Sequence, residues 1–228
     1  MDCCPTRDVD EETGYSRSSL AGGRPDSLEN EANQEKHITA MSAGPKKPND
    51  HGEQMPNDYG NARESGTFRI ERVLPGPVER IWAYLTEPEK RRRWFGAGPM
   101  ELRVGGRVEL LFRFSELTAE KAPPNKADSC EVPGRVTQCD PPRLLSYTWG
   151  DGPDASEVTF ELTSQGREVL LVITHRRLGD LGKMISVASG WHAHLDILAD
   201  RISGRNPRPF WTTKAWIEEQ YGKRLRLS

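Results

Sequence analysis

The sequence predicts an α+β fold in which an antiparallel sheet wraps around a long C-terminal helix, with two short helices after the first strand. Three observations carry that reading. Residues 183–204 show a long unbroken helical periodicity: Met184, Val187, Ala188, Trp191, Leu195, Leu198 and Ile202 recur at three- and four-residue spacings and stack on one stripe. Ahead of it, between residues 67 and 175, short runs alternate apolar and polar side chains and are parted by Gly and Pro turn signals, the pattern of an antiparallel meander. Pro77 and Pro88 each open a short segment, at a helix position where the missing N–H costs nothing. An apolar stripe must be buried, and the meander is the surface that can receive it. Asp196, Asp200 and Ala193 fall on the other side of the helix. A long helix laid across a curved sheet leaves a space between the two, which is the expected pocket.

The first strand, residues 67–74, sets Phe68, Ile70 and Arg72 against Arg69, Glu71 and Val73, and Pro75-Gly76-Pro77 ends it. Helix 78–86 gathers Val78, Ile81, Trp82 and Leu85 on one face. A second short helix runs from Pro88 through EKRRRWF to Gly96. Segments 100–104 and 107–116 flank Gly105-Gly106, a pair suited to the positive φ of a tight hairpin. In the second of them Val108, Leu110, Phe112 and Phe114 alternate with Glu109 and Arg113, giving a buried and a wet face. Residues 118–129 read as a polar loop. Further strands are expected at 130–139, 143–149, 157–163 and 168–175, separated by Pro141-Pro142, Gly150-Asp151-Gly152 and Ser164-Gln165-Gly166. After the long helix, Gly204 suits a C-cap, Pro207-Arg208-Pro209 breaks the chain, and FWTTKAWIEEQYGKRLRL reads as one further helix.

Composition divides the chain. Of its 228 residues 35% are hydrophobic and the mean hydropathy is −0.73, low for a chain folded throughout. Residues 1–65 carry 7 Lys/Arg against 13 Asp/Glu without apolar periodicity and read as a disordered acidic tail, with Met41 and Met55 as further candidate starts. Residues 66–228, with 25 against 21, read as one mildly basic domain. The first thirty residues lack the apolar core of a signal peptide, and no stretch approaches the roughly 18 apolar residues of a membrane span. Cys3, Cys4, Cys130 and Cys139 form no C-x-x-C pair, so a reducing, cytoplasmic setting is expected rather than a disulfide framework or a zinc site. No phosphate loop, paired carboxylates or nucleophile elbow is present, and no cofactor or metal is expected. The basic run Lys90-Arg91-Arg92-Arg93 reads as a solvated face, without a nucleic-acid reading motif beside it.

Specific residues sharpen the fold. The segment 78–85 followed by Trp94-Phe95, then Gly134-x-Val136, Asp140-Pro141-Pro142-Arg143-Leu144 and Tyr147-Thr148-Trp149, resembles the Activator of Hsp90 ATPase homologue 1-like (AHSA1-like) family. Gly190-Trp191-His192-x-x-Leu195-Asp196-x-Leu198 resembles that family's C-terminal helix signature. The resemblance covers about residues 66–205 and implies the helix-grip fold of the START-like, Bet v 1-like (SRPBCC) superfamily. Relatives there bind lipids, sterols, polyketides and other apolar molecules between helix and sheet, and some are cyclases or aromatase-like enzymes. The family's name comes from a eukaryotic co-chaperone in which this domain is joined to an N-terminal domain that residues 1–65 do not resemble.

The pocket candidates are Trp94, Phe112, Phe114, Tyr147, Trp149, His175, Trp191, His194, Leu195 and Leu198, an apolar and aromatic set with a few polar points, the usual make-up of a small-molecule site. His192, His194 and Asp196 cannot converge on one ion, because His194 points roughly 160° away from Asp196 on a helix. His192–Asp196 reads as a surface hydrogen bond. His194 borders the apolar stripe and can present a polar group to the cavity, and Arg113 and Tyr147 are expected at its mouth or wall. The expected function is non-catalytic binding of a small hydrophobic or aromatic molecule. Two alternatives stand beside it: protein binding of co-chaperone type, and a cyclase or hydrolase using His175, His194 and Tyr147. Monomer and homodimer are both open.

Overall fold

The computed structural model describes residues 59–62 and 66–225. Strand β2 (Phe68–Pro75) turns Phe68, Ile70, Arg72 and Leu74 inward, as its alternation dictates. Helices α1 (Val78–Thr86) and α2 (Pro88–Arg91) follow. Next come β3 (Arg107–Arg113), the one-turn α3 (Phe114–Leu117), β4 (Ser129–Asp140), β5 (Leu144–Trp149), β6 (Ser156–Gln165) and β7 (Glu168–Arg176). Helix α4 (Leu181–Ile202) and helix α5 (Phe210–Arg224) end the described chain. With the two-residue β1 (Asn61–Ala62), the strands form one seven-stranded sheet in the order β1-β2-β7-β6-β5-β4-β3, antiparallel at every pairing. This is the α+β helix-grip arrangement, because a meander in which β2 returns to pair with the last strand leaves one concave face for one helix.

Four details depart from the expectation. Residues 100–104 make no strand; Met100 contributes one isolated bridge to Val108. Phe114 opens α3 instead of continuing β3. Asn61 and Ala62, read as part of the tail, pair with Arg69 and Phe68; residues 1–58 and 63–65 lie outside the described residues. In the basic run Arg91 is only 1% exposed, its guanidinium donating to the carbonyls of Gly96, Thr86 and Gly98, so it holds the loop after α2 together. Carbonyl dipoles can satisfy a buried cation where no carboxylate is at hand.

The largest departure concerns α4. Its N-cap is Asp180, which accepts from the Lys183 backbone N–H at 2.8 Å, and Gly204 with φ +71° follows its last turn. The apolar stripe faces the sheet as expected, but the opposite side does not face water, because α5 packs along it. Asp200 is 4% exposed and receives Arg208 in a two-pronged contact, Nε to Oδ2 at 3.0 Å and Nη2 to Oδ1 at 3.1 Å. Arg205 adds a third hydrogen bond at 3.1 Å, and Arg208 also reaches Asp196 at 3.0 Å. Burial alone would raise the Asp200 pKa, but the hydrogen bonds and charge of Arg208, with help from Arg205, hold it below the usual carboxylate range. The acids that a stripe analysis assigns to solvent thus clamp the linker to α5.

Gly134 sits on β4 where a Cβ would collide with the carbonyl oxygen of Thr148 on β5, a strand held on both sides by β4 and β6. Gly134→Ala is expected to cost about 1–3 kcal/mol in urea unfolding, as overpacking does. Gly222→Ala on α5, with open space at the new Cβ, is expected to lose nothing. Equal stability of the two variants would contradict this close approach of β4 to β5.

Candidate functional site

Trp191 on α4 is fully buried against the concave face of the sheet. Phe95 stacks on it at 4.9 Å between ring centroids, Phe160 of β6 meets it edge-on at 5.6 Å, and Trp149 of β5 at 5.8 Å. Phe112 of β3 joins through Phe95 at 4.9 Å and Trp149 at 5.9 Å. Offset and edge-on geometries of this kind are those the ring quadrupoles favour. Alternation on β3, β5 and β6 aims these rings inward; the turn after α2 delivers Trp94 and Phe95 from the side.

His175 closes this shell toward β7. Trp191 Nε1 donates to its Nδ1 at 3.0 Å, so the ring hydrogen sits on Nε2, which lies 2.9 Å from Ser156 Oγ. Complete burial pushes its pKa down to about 3, with smaller contributions from Lys183 and Arg177, so the imidazole is neutral.

His194 lies about one turn beyond Trp191 on α4, also fully buried. Its Nδ1 is 2.8 Å from the Trp94 carbonyl, which can only accept, so Nδ1 carries the hydrogen and Nε2 presents a lone pair. Burial drives this pKa to about 3 despite that hydrogen bond. The rings of Phe210 at 4.7 Å, Phe95 at 4.9 Å, Phe112 at 6.0 Å and Phe114 at 6.3 Å surround it.

His192 is not on the surface. It is 6% exposed, packed between Tyr59 and Tyr221, whose hydroxyl accepts from the Gly60 N–H at 2.8 Å and lies 3.3 Å from His192 Nδ1. Its Nε2 is 3.8 Å from Asp196, a carboxylate already engaged by Arg208 and, at 3.5 Å, by Arg72. Burial and the nearby Arg72, Arg208 and Arg224 lower its pKa to about 2. The two histidines of α4 thus serve different partners, and among the described residues no cluster of His, Cys, Asp and Glu side chains has the arrangement of metal ligands.

The remaining candidates fall around the same core. Trp94 is buried, its Nε1 donating to the Tyr84 carbonyl at 2.9 Å. Tyr147 is buried and stacked on Phe160 at 5.6 Å; burial raises its pKa while the nearby Arg91 opposes. Leu195 and Leu198 are fully buried, and Trp149 is the one candidate only partly covered. Arg113 is exposed and turned to Glu116 at 3.2 Å, away from the shell. Phe95, Phe160, Phe210 and Trp211 belong to the constellation without having been expected there. Phe95 was visible beside Trp94, but nothing in local periodicity brings residue 210 back onto residue 114.

Phe210 and Trp211 come from α5 and close the end of the shell beside His194. Phe210 stacks on Phe114 at 5.0 Å, and Trp211 lies 4.8 Å from the same ring. Glu120, from the loop after α3, caps this helix: it accepts from the backbone N–H groups of Trp211 at 2.7 Å and Thr212 at 3.1 Å. A second feature lies outside, a groove of about 860 Å³ between the start of α4 and the end of α5, lined by Gly182, Ile185, Ala215 and Gly222 with Glu218, Glu219 and Lys223. Among the described residues no helix is long and apolar enough to cross a membrane, and Cys130 and Cys139 are free thiols.

The family model described as Activator of Hsp90 ATPase homolog 1-like protein matches residues 75–203. A protein from Bordetella parapertussis, solved by solution NMR, is 43% identical, with a TM-score of 0.64 over 74% of this chain and 91% of that one. CalU16 from Micromonospora echinospora is 24% identical, with a TM-score of 0.50 over 72% and 93%. A conserved protein of unknown function from Enterococcus faecalis is 22% identical, with a TM-score of 0.53 over 75% and 91%. The last two likenesses concern the fold alone. No curated protein matches the sequence.

Proposed function

Because the chain belongs to the Activator of Hsp90 ATPase homolog 1-like family of the START-like superfamily, we propose that it binds a small hydrophobic or aromatic molecule among the rings between the sheet and α4, without converting it. The observation that carries this reading is the ring shell itself: Phe95, Phe112 and Phe114 beside the neutral imidazole of His194, and Trp149 and Trp191 beside that of His175, an apolar lining with few polar points. The non-catalytic part rests on His175, whose two nitrogens are held by Ser156 and Trp191 and whose pKa lies far below the range useful to a general base at neutral pH. Trp149 and Trp211 are both partly exposed, so a ligand can approach beside either ring, while the buried Phe210 stacks on Phe114 between sheet and α5.

Native mass spectrometry of protein purified without added ligand, followed by denaturing extraction, tests the proposal. The expected result is a stoichiometric apolar molecule, or, for empty protein, saturable quenching of tryptophan fluorescence by naphthalene. Empty protein with unchanged fluorescence up to the solubility limit of naphthalene overturns it. Protein binding of the kind named in the family's description is a second reading, favoured by the outer groove between α4 and α5, whose apolar floor and mixed-charge rim suit a peptide segment. In that case charge reversal at Glu218 and Lys223 would weaken partner capture and leave naphthalene quenching unchanged.

A further inference from the structure

Resting on that reading of the ring shell, one atom specifies the ligand's chemistry further. Among the described residues only four buried side-chain polar atoms lack a hydrogen-bond partner: Nε2 of His194, Nε1 of Trp211, and the hydroxyls of Thr118 and Thr213. Buried polar groups of native proteins are nearly always paired, and an orphan costs about 1–3 kcal/mol, so each exception calls for a reason. His175, equally buried in the same aromatic surroundings, has both nitrogens satisfied. Of the two imidazoles in the ring shell, His175 is thus completed by the fold and His194 is not.

The geometry dictates what the missing partner must bring. Nδ1 of His194 is committed as a donor to the Trp94 carbonyl, which leaves Nε2 as an acceptor that needs a donor. The rings of Phe95, Phe112, Phe114 and Phe210 enclose the imidazole, and the side-chain charge that acts on it, Lys214, is already paired with Glu218 at 2.7 Å. A carboxylate ligand would set its own lone pairs against that of Nε2, and an ammonium would enter an apolar cage without a counter-charge. A neutral hydroxyl on an aromatic body satisfies both demands. Trp211, whose ring packs on Phe114 and Phe210, holds its unpaired N–H at the same end of the shell and adds a donor suited to a ligand oxygen rather than a ligand amine.

We propose that the ligand is a neutral phenol-type molecule, a hydroxylated aromatic whose O–H donates to Nε2 of His194 at the end of the shell closed by Phe210 and Trp211. The chemistry recognised is the single hydroxyl donor on an apolar ring; no bond is made or broken. His194 is then a specificity-determining residue, and a ligand capped at that oxygen by a methyl group loses the contact while keeping its aromatic area.

The test compares 2-naphthol with 2-methoxynaphthalene on the full chain by tryptophan fluorescence titration. Naphthol is expected to bind about 3- to 10-fold more tightly, the net worth of one neutral hydrogen bond. In His194→Phe, which keeps a ring of similar shape, that ratio is expected to fall to about one, the loss of the same bond. Nitrogen-detected NMR of the histidine rings gives a readout on unaltered protein: naphthol should move the Nε2 resonance of His194 toward the protonated range, and the methyl ether should leave it in place. Equal binding of the two probes with no movement of that resonance overturns the phenol assignment and leaves the pocket standing. Binding of neither overturns both.

Discussion

On acidification, the protein is expected to lose stability steadily below about pH 6.5, well before its carboxylates titrate. Three imidazoles carry the effect. In the folded chain burial holds His175 and His194 neutral down to about 3 and His192 to about 2, whereas in the unfolded chain each protonates near 6.5. Between those values the unfolded state binds more protons than the folded one, so stability rises with pH across the window and falls as pH drops through it. Each imidazole contributes a slope of up to about 1.4 kcal/mol per pH unit, so three together remove up to about 8 kcal/mol over two units, a large share of the roughly 5–15 kcal/mol that holds a typical domain folded. Asp200, held low by Arg208 and Arg205, works in the same direction only below the ordinary carboxylate pKa of about 4. Urea unfolding from pH 7.5 to 4.5 measures the slope. A stability that stays flat from pH 7 to 5 would mean that these histidines take up protons in the folded protein and are not enclosed as described.

The second large effect belongs to Trp191. Trp191→Ala is expected to cost about 3–5 kcal/mol, the range for removing a fully buried large aromatic. Two losses combine there. The stack on Phe95 and the edge contacts with Phe160 and Trp149 disappear, and Nδ1 of His175 loses the N–H it accepts from. Trp191→Phe separates them, because it keeps a ring against Phe95 but supplies no N–H; about 1–3 kcal/mol of the loss should remain. The unpaired Nδ1 can then accept a proton more easily than in the parent protein, so the acid slope should shrink in the phenylalanine variant. If the phenylalanine variant matched the parent in both stability and slope, the Trp191–His175 hydrogen bond would carry no weight in the fold.

Most of the elements were legible because their signals are local. Phe68, Ile70 and Leu74 alternate with exposed neighbours, Pro77 and Pro88 open helices where their rings fit, and the α4 stripe repeats at helical spacing; each needs only a few neighbouring residues to be read. The misreadings share one cause. Residues 100–104 have the composition of a strand but find only one isolated bridge, Phe114 breaks from an alternation that it fits, and Arg91 is polar yet buried. In each case the deciding partner, a neighbouring strand or a carbonyl in a loop, is supplied by the tertiary arrangement.

The candidate site divides along the same line. Phe112, Tyr147, Trp149, Trp191 and His194 could be named as candidates from the sequence because alternation and helical spacing place such residues on the inward faces, and burial of such faces is the main driving force of folding; Trp94, in the turn after α2, was a candidate on its aromatic character alone. Whether an inward histidine is satisfied or left with an open lone pair is a matter of contacts between residues far apart in the chain. His175 and His194 look alike in the sequence, and both end fully buried and neutral. Ser156 and Trp191 complete the first, while Trp94 occupies one nitrogen of the second and Phe210, brought back by α5, encloses the other. Periodicity determined which residues turn inward, since it follows from backbone geometry alone. Only the packing of α5 and the β-sheet around α4 decided which polar atoms of that interior stay unpaired, because a hydrogen bond depends on distances and angles that no local pattern specifies.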